Sequence, residues 1–323
     1  MTLILLTLSR LIFLFSFIVL GFLLTKIKAI PESSDGILSK LENNLFAPCL
    51  VMGTFIKEFT VKTLTTSWKP LAVSCLLLLV TIPLGIFLGK LFSKKDFDRK
   101  VYTYGLCFSN FGFMGLAVVE ALFPGVFMQY NIFLLPFWVG VYGWAIPNLL
   151  IPADKADKSF LSTLKRIANP MCVCMVIGAI IGVTGIGALL YNAESGSQSV
   201  VMDIITTAGS CMSPLAMLLT GITIAKIDIP KVVKSFGIYV ASALRLIVLP
   251  LALTPLIMLL PIDDSIVLCA LCVLSMPLGL SPVVVPAGYG EDTSLAAGMA
   301  VISHALSVIT IPIVFAIFSG VIG

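Results

Sequence analysis

The sequence predicts an all-α polytopic membrane protein whose ten transmembrane helices form two five-helix inverted repeats. Three observations predict this fold class. Apolar residues make up 59% of the 323 residues and charged residues only 11%, whereas soluble domains have about 45–50% and about 25%. Windows of about 20 apolar residues follow one another along the chain. Two of these windows, 166 residues apart, are interrupted by Gly, Pro, Asn and Ser.

Each apolar window is long enough to cross a bilayer as a helix. The predicted spans are 3–24, 38–56, 70–92, 101–121, 130–151, 169–190, 201–225, 235–260, 265–288 and 293–319. The second, fourth, seventh and ninth are the least regular. The first lacks the basic region and cleavage site of a signal peptide, so we interpret it as helix 1.

The charges between the spans predict the orientation. Basic residues follow the odd-numbered helices: Lys26, Lys28, Lys90, Lys94, Lys95, Arg99, Lys100, Lys155, Lys158, Lys165, Arg166, Lys226, Lys231 and Lys234. The loops after helices 4, 6 and 8 have no Lys or Arg and contain only Glu194, Asp263 and Asp264. Loop 2, with Lys57, Lys62 and Lys69, is the exception. The positive-inside rule therefore places both termini on the non-cytoplasmic side, in the cytoplasmic (inner) membrane if the protein is bacterial.

The two halves correspond at an offset of about 166 residues. The matched pairs, in order, are Pro48 and Pro214, Pro83 and Pro250, Ser109 and Ser275, and Pro147 and Pro312. Because each half has five spans, the second half enters the membrane from the opposite side, which predicts an inverted repeat. We expect an N-terminal repeat at 1–152, a cytoplasmic linker at 153–168 and a C-terminal repeat at 169–323.

The two interrupted spans are the predicted functional site. A helix that breaks inside the membrane leaves N–H and C=O groups unpaired, and such breaks persist where they line a polar cavity. The candidate substrate-binding residues are Ser109, Asn110, Gly112, Gly115, Pro277, Gly279, Ser281 and Pro282. The alternative is that Gly and Ser only allow close helix packing. The irregular stretches 43–48 and 209–214 either line the same cavity or are simple Pro kinks.

Ionisable residues inside spans are costly and are therefore candidates for function. Arg245, in helix 8, attracts an anionic substrate or pairs with a carboxylate. His304, in helix 10, exchanges a proton or is a hydrogen-bonded packing residue. Glu120 belongs near the outer end of helix 4 as a gate, and Asp203 starts helix 7 at the interface. Glu120, Asp203 and His304 are the titratable candidates for coupling or gating.

Other classes of function have little support. The eight cysteines fall in apolar stretches and are interpreted as small core residues. Cys269 and Cys272 have CxxC spacing, but the chain has one histidine, so we predict no metal site and no cofactor. Common hydrolase and nucleotide-binding motifs are absent, which predicts a transporter driven by gradients, or a facilitator, and no enzyme. Basic residues form no patch with interleaved aromatics, so we expect no nucleic-acid partner.

Three motifs resemble one known family. They are Asn110–Phe123 (NFGFMGLAVVEALF), Met276-Pro277 followed by Tyr289–Ala297 (YGEDTSLAA), and the Ser307–Pro312 run. Together they resemble the auxin efflux carrier family, which includes plant auxin exporters and bacterial permeases for malate, malonate and similar organic acids. The likeness extends over the whole chain.

This resemblance implies a scaffold of helices 1, 2, 6 and 7, often with a homodimer interface, and a moving transport domain of helices 3–5 and 8–10. Helices 4 and 9 would cross in that domain, as in bile acid symporters and sodium/proton antiporters. The resemblance also implies that Asn110 binds substrate and that Arg245 occupies a position that is often basic. Two residues depart from the family pattern: Ala117 replaces a usual Pro, and Ser281 replaces a frequent Asn.

We therefore expect a secondary carrier of a small organic anion in the lipid bilayer, working by alternating access. Two alternatives stay open at this point. One is a cation or proton antiporter of the same architecture, which generally needs carboxylates at the crossing. The other is a membrane sensor that binds a ligand without transporting it.

Overall fold

The computed structural model describes residues 2–31, 33–191, 198–226, 235–318 and 320, with side chains from residue 8 onward. Within these ranges the regular secondary structure is helical. Glu194, Lys231 and Lys234, which contributed to the predicted orientation, lie outside the described residues.

The first half of the chain covers the predicted spans 1 to 5. Its described α-helices are α1 (Thr2–Lys26), α2 (Ser34–Leu41), α3 (Ala47–Glu58), α4 (Val61–Thr66), α5 (Trp68–Phe92), α6 (Asp96–Cys107), α7 (Leu116–Leu122) and α8 (Phe127–Val139). Three π-helical segments continue or join them: Glu42–Phe46, Phe111–Gly115 and Gly140–Leu150. A short 3₁₀ turn, Pro124–Val126, precedes α8.

The second half contains the remaining helices. They are α9 (Phe160–Ile167), α10 (Pro170–Val183), α11 (Gly187–Leu190), α12 (Val200–Ser210), α13 (Met212–Ala225), α14 (Phe236–Ala243), α15 (Leu249–Met258), α16 (Asp264–Ser275), α17 (Ser281–Ala287) and α18 (Ser294–Ile317). A π-helical segment, Leu244–Val248, joins α14 to α15.

Six helical stretches of the described chain are long and apolar enough to cross a membrane, which establishes a polytopic membrane protein. They are Leu8–Lys26, Val61–Phe92, Pro124–Leu150, Val200–Ala225, Phe236–Met258 and Ser294–Ile317. The pair α9 and α10, bent by 65°, makes a seventh if it is one span. The ten-span count and the inverted repeat remain predictions, because α16 and the helix 111–122 are shorter than a full span.

The predicted linker is partly helical. Residues 160–167 form α9, which begins where the Ser159 hydroxyl accepts from the Ser162 N–H at 3.3 Å. The predicted sixth span begins as expected, because the Asn169 side chain accepts from the Cys172 N–H at 3.0 Å and Pro170 occupies the first turn. It ends earlier than predicted, since the chain turns through Gly185, whose φ is +77°.

Close helix packing holds α1 against α13 and α3 against α10 and α12. Gly221 shows how closely the first pair approaches: a Cβ at this position would lie 2.0 Å from the Ile18 carbonyl oxygen. A Cβ at Gly21 would lie 2.2 Å from the Leu218 carbonyl oxygen. Small residues allow this backbone approach, as they do between membrane helices generally.

The two predicted interruptions are confirmed, and they meet. Helix α6 ends at Cys107 and α16 ends at Ser275. Between these ends and the following helical segments, Ser109 and Leu278 form an isolated antiparallel bridge. The Asn110 N–H donates to the Pro277 carbonyl at 2.7 Å. Each broken helix thus supplies backbone partners that the other lacks, which satisfies part of the polar backbone inside the membrane.

The eight cysteines do not share one environment. Cys107, Cys269 and Cys272 are buried, as predicted, but Cys75 and Cys211 are exposed. The interpretation of all eight as core residues is therefore wrong for these two. An apolar stretch in a membrane protein has a lipid-facing side as well as a core side, and composition alone does not distinguish them.

Candidate functional site

A cavity of about 210 Å³ lies at the crossing of the two broken helices. Its walls are formed by the crossing, the segment 138–142, the start of α3 and the start of α10. The lining residues are Asn43, Ala47, Tyr104, Ser109, Asn110, Phe111, Gly112, Phe113, Trp138, Val141, Tyr142, Asn169, Pro170, Met171, Gly279, Leu280 and Ser281. None of these described lining residues carries a formal charge, so the cavity offers neutral polar groups and apolar surface.

Asn110 stands where the two breaks touch. It is 2% exposed and lines the cavity. Its carbonyl accepts the first backbone bond of the following segment, from the Gly115 N–H at 2.9 Å. Because this bond joins residues that are five positions apart, the N–H groups of residues 111–114 have no partner within the helix. Phe111, Gly112 and Phe113 line the cavity, so the positive end of this helical segment faces it.

His304 orients the Asn110 amide. The Asn110 Nδ2 and the His304 Nε2 lie 3.3 Å apart, and the His304 Nδ1 lies 2.8 Å from the Ala300 carbonyl oxygen. A carbonyl only accepts, so Nδ1 carries the ring proton and Nε2 accepts from the amide. His304 is 2% exposed and neutral in this arrangement. One Asn110 N–H remains free for another partner.

Arg245 binds the ends of both broken helices. Its guanidinium donates to the carbonyls of Val273 at 2.8 Å, Leu106 at 3.2 Å and Met276 at 3.4 Å. These carbonyls lie at the C-terminal ends of α6 and α16, where the helix dipole attracts a cation. Arg245 is 2% exposed, does not line the cavity, and has no carboxylate partner among the described residues. Its contact with substrate stays a prediction.

Of the other predicted binding residues, Ser109, Gly112, Gly279 and Ser281 line the cavity. The Ser109 hydroxyl is already used, since it donates to the Val273 carbonyl at 2.7 Å.

Gly115, Pro277 and Pro282 do not line the cavity. A Cβ at Gly115 would lie 2.3 Å from the Tyr130 hydroxyl oxygen, so Gly115 admits that ring. Pro277 supplies its carbonyl to Asn110, and Pro282 is buried in the first turn of α17. These residues shape the breaks through packing and backbone conformation.

Glu120 and Asp203 lie apart from the cavity. The Ser213 hydroxyl donates a short hydrogen bond to the Glu120 carboxylate, which joins α7 to α13. Asp203 is exposed in the first turn of α12. The structure therefore brings His304, but not Glu120 or Asp203, to Asn110.

Sequence reasoning missed several cavity residues. The aromatic wall is one example. Trp138 and Tyr142 come from the fifth predicted span, which was not among the irregular ones, and Tyr104 precedes the interruption in the fourth span. Asn169 had a recognisable signal, because an Asn-Pro pair typically begins a helix. Its Nδ2 donates to no described group. In the irregular stretch 43–48, Asn43 and Ala47 line the cavity, whereas 209–214 contributes none of the lining.

Comparison with known families gives one match. The family model described as "Membrane transport protein" matches the chain in two segments, residues 6–161 and 155–315. The two matches together cover nearly the whole chain. No curated protein matches the chain.

Proposed function

Because the chain belongs to the membrane transport protein family, that of the auxin efflux carriers, and is an integral membrane transporter, we propose that it carries a small organic anion such as a carboxylate. It does so as a secondary transporter or facilitator, by alternating access of the crossed-helix unit. The single observation that carries this proposal is the cavity at the crossing, with Asn110 in its wall.

The donors at the cavity favour an anion. The helical start at residues 111–114 presents unpaired N–H groups, and such a start attracts negative charge. The Asn110 amide has one free N–H, and Asn169 Nδ2 is a second amide donor without a described partner. No described carboxylate lines the cavity, so no negative charge in its lining repels an anion or attracts a cation. This favours the anion carrier over a cation or proton antiporter.

The cavity walls favour a small substrate with an apolar part. A volume of about 210 Å³ is below the roughly 300–1,000 Å³ of pockets for drug-sized ligands. Tyr104, Trp138 and Tyr142 supply aromatic surface to the cavity wall. Ser281 offers one hydroxyl where family members often have an Asn amide. We therefore place the carboxylate at the Asn110 side and the carbon chain against the rings.

The position of the cavity favours alternating access. One wall belongs to the crossing, and the other belongs to α3 and α10, which pack on each other. Sliding of the crossing against these helices would carry a bound ligand across the membrane. The Glu120–Ser213 hydrogen bond joins α7 of the crossing unit to α13, which follows α12, and α12 packs on α3. We propose that it is a gating contact, broken and reformed in each cycle.

Transport by purified protein in liposomes tests the proposal. A panel of mono- and dicarboxylates is offered under proton, sodium and potential gradients, first to the wild type. For the best substrate, Asn110→Ala removes the hydrogen bond that its free N–H would donate to a charged group, worth about 1.5–3 kcal/mol. We expect the Michaelis constant to rise at least about tenfold, since about 1.4 kcal/mol is a factor of ten.

The matched control is Asn148→Ala. Asn148 is half-buried, binds the Trp144 carbonyl at 2.8 Å and does not line the cavity, so this variant should keep the wild-type constant. Correct folding of both variants is checked by their elution as single species in detergent. Failure to move any carboxylate, or an unchanged Michaelis constant in N110A, would contradict the proposal.

The same experiments distinguish the proposed carrier from the two alternative functions. Ion flux that depends on no organic anion would favour an antiporter, and ligand-induced stabilisation without transport would favour a sensor.

We also propose a homodimer formed through the scaffold helices and, in a bacterium, insertion in the inner membrane with both termini outside.

A further inference from the structure

Glu42 is a fully buried carboxylate inside the second predicted span. Its side chain is 0% exposed. Neither carboxylate oxygen receives a hydrogen bond within the described part of the chain. Glu42 begins the π-helical segment Glu42–Phe46, and its neighbour Asn43 lines the substrate cavity. Such π-helical segments occur frequently at functional sites.

The elements around Glu42 supply it with no counter-charge. The segment 42–46 continues α2 and α3 and packs against α10, α12 and α13. The titratable and charged groups on and next to these elements are Asp35, Lys40, Cys49, Lys57, Glu58, Cys172, Cys174, Asp203, Cys211 and Lys226. None of their recorded hydrogen bonds or ion pairs reaches Glu42, and Lys226 pairs with Asp35 at 2.8 Å.

An ionised carboxylate in this environment would be very costly. Burial of a charge without a hydrogen bond or counter-ion costs several kcal/mol even after relaxation, and such a group takes up a proton instead. The corresponding position in the second half, 166 residues on, is Ala208. The acidic group is therefore a property of one half only, and symmetry of the fold does not require it.

We infer that Glu42 is a proton-binding site of the carrier, occupied in the conformation described here. A hydronium ion transfers a proton to the carboxylate, which forms the O–H bond of the acid and leaves a water molecule. When the π-helical segment moves and water reaches Glu42, this O–H bond breaks and the proton passes back to water. This inference rests on the proposed function and extends it by naming the proton as the coupling ion. Glu42 lies beside the cavity, so proton and substrate occupy separate sites.

The first test needs no substrate. Wild type and Glu42→Gln are unfolded by titration with sodium dodecyl sulfate in mixed micelles, at several pH values between 6 and 8. Gln keeps the shape and mimics the neutral acid. If the folded wild type holds a proton that its unfolded chain releases, its unfolding constant rises about tenfold per pH unit relative to E42Q. Stability due to Glu42 is thus greatest at low pH and falls as pH rises.

Two further variants sharpen this comparison. Glu291→Gln changes an exposed loop residue in the same chemical way and should follow the wild type at every pH. Glu42→Met replaces the acid by an apolar side chain of similar length and should follow E42Q, since the site is apolar. A constant ratio between wild type and E42Q across this pH range would overturn the inference. The inference would also be overturned if sodium chloride stabilised the wild type more than choline chloride did and E42Q showed no such difference, because Glu42 would then bind sodium.

The second test measures coupling. Liposomes contain a pH-sensitive dye, and the carboxylate found by the transport screen is added outside. Wild type should move protons with the substrate, whereas E42Q should exchange the substrate and lose the proton movement. Unchanged proton movement in E42Q would overturn the inference. If no carboxylate moves at all, the proposed function fails, and the unfolding titration still decides whether Glu42 binds a proton.

Discussion

Replacement of Arg245 by methionine should destabilise the crossing strongly, because one guanidinium serves the ends of two broken helices. Arg245 donates to the carbonyls of Val273, Leu106 and Met276. The Val273 carbonyl keeps a second donor, the Ser109 hydroxyl at 2.7 Å. The variant therefore leaves two carbonyls without their Arg245 donors.

The expected magnitude follows from these two carbonyls. An unsatisfied buried carbonyl costs about 1–3 kcal/mol, so the loss is about 2–6 kcal/mol. Methionine also removes the desolvation cost of a buried cation, which offsets part of this loss. We expect the free energy of unfolding of Arg245→Met to fall by about 2–4 kcal/mol. The free energy of unfolding of Arg245→Lys should fall less, because an ammonium keeps the positive charge, although it lacks the planar fork of donors.

Unfolding by sodium dodecyl sulfate in mixed micelles measures this change, with Lys165→Met as the control. Lys165 is exposed at the end of α9, and loss of such a cation typically changes stability by less than about 0.5 kcal/mol. A wild-type stability for R245M, together with weaker substrate binding, would refute the reasoning. It would place Arg245 at the substrate, as the sequence allowed.

Two other substitutions test the packing and the site. Gly221→Ala places a Cβ 2.0 Å from the Ile18 carbonyl oxygen and should destabilise by at least about 1–3 kcal/mol. Gly36→Ala, in a helix with open space around it, should stabilise slightly, and equal effects of the two would contradict the packing argument. His304→Ala removes the acceptor for Asn110 and should weaken substrate affinity about 2- to 10-fold. His304→Gln restores an acceptor and should recover part of that loss, so identical affinities for wild type and H304A would exclude a positioning role.

The sequence predicted the position of the breaks well. Pro277 and Pro282 cannot continue a helix, and Gly and Asn around Asn110 weaken one, so local chemistry decides where the chain departs from helical conformation. It did not predict the distortions in the spans 130–151 and 235–260, where residues 140–150 and 244–248 are π-helical. Such distortions depend on how a helix packs, and Pro147 alone does not specify them.

Contacts between distant residues could not be predicted in the same way. The Ser109–Val273 bond joins residues 164 apart, and the Asn110–His304 contact joins residues 194 apart. The sequence marked Asn110 and His304 as candidates, but it did not pair them. Glu42 escaped notice because its place near the start of a span resembles that of an interfacial carboxylate, and burial depends on neighbouring helices.

The sequence by itself determined that this protein lies in a membrane and that two of its helices break there. Hydrocarbon cannot satisfy a backbone, so composition and helix-breaking residues constrain such a chain strongly. Only the tertiary structure decided what each polar group faces. It directed Arg245 to backbone carbonyls and Asn110 to a cavity, and it left Glu42 without a partner among the described residues. These outcomes depend on which side of a helix meets which neighbour, and hydropathy does not record that information.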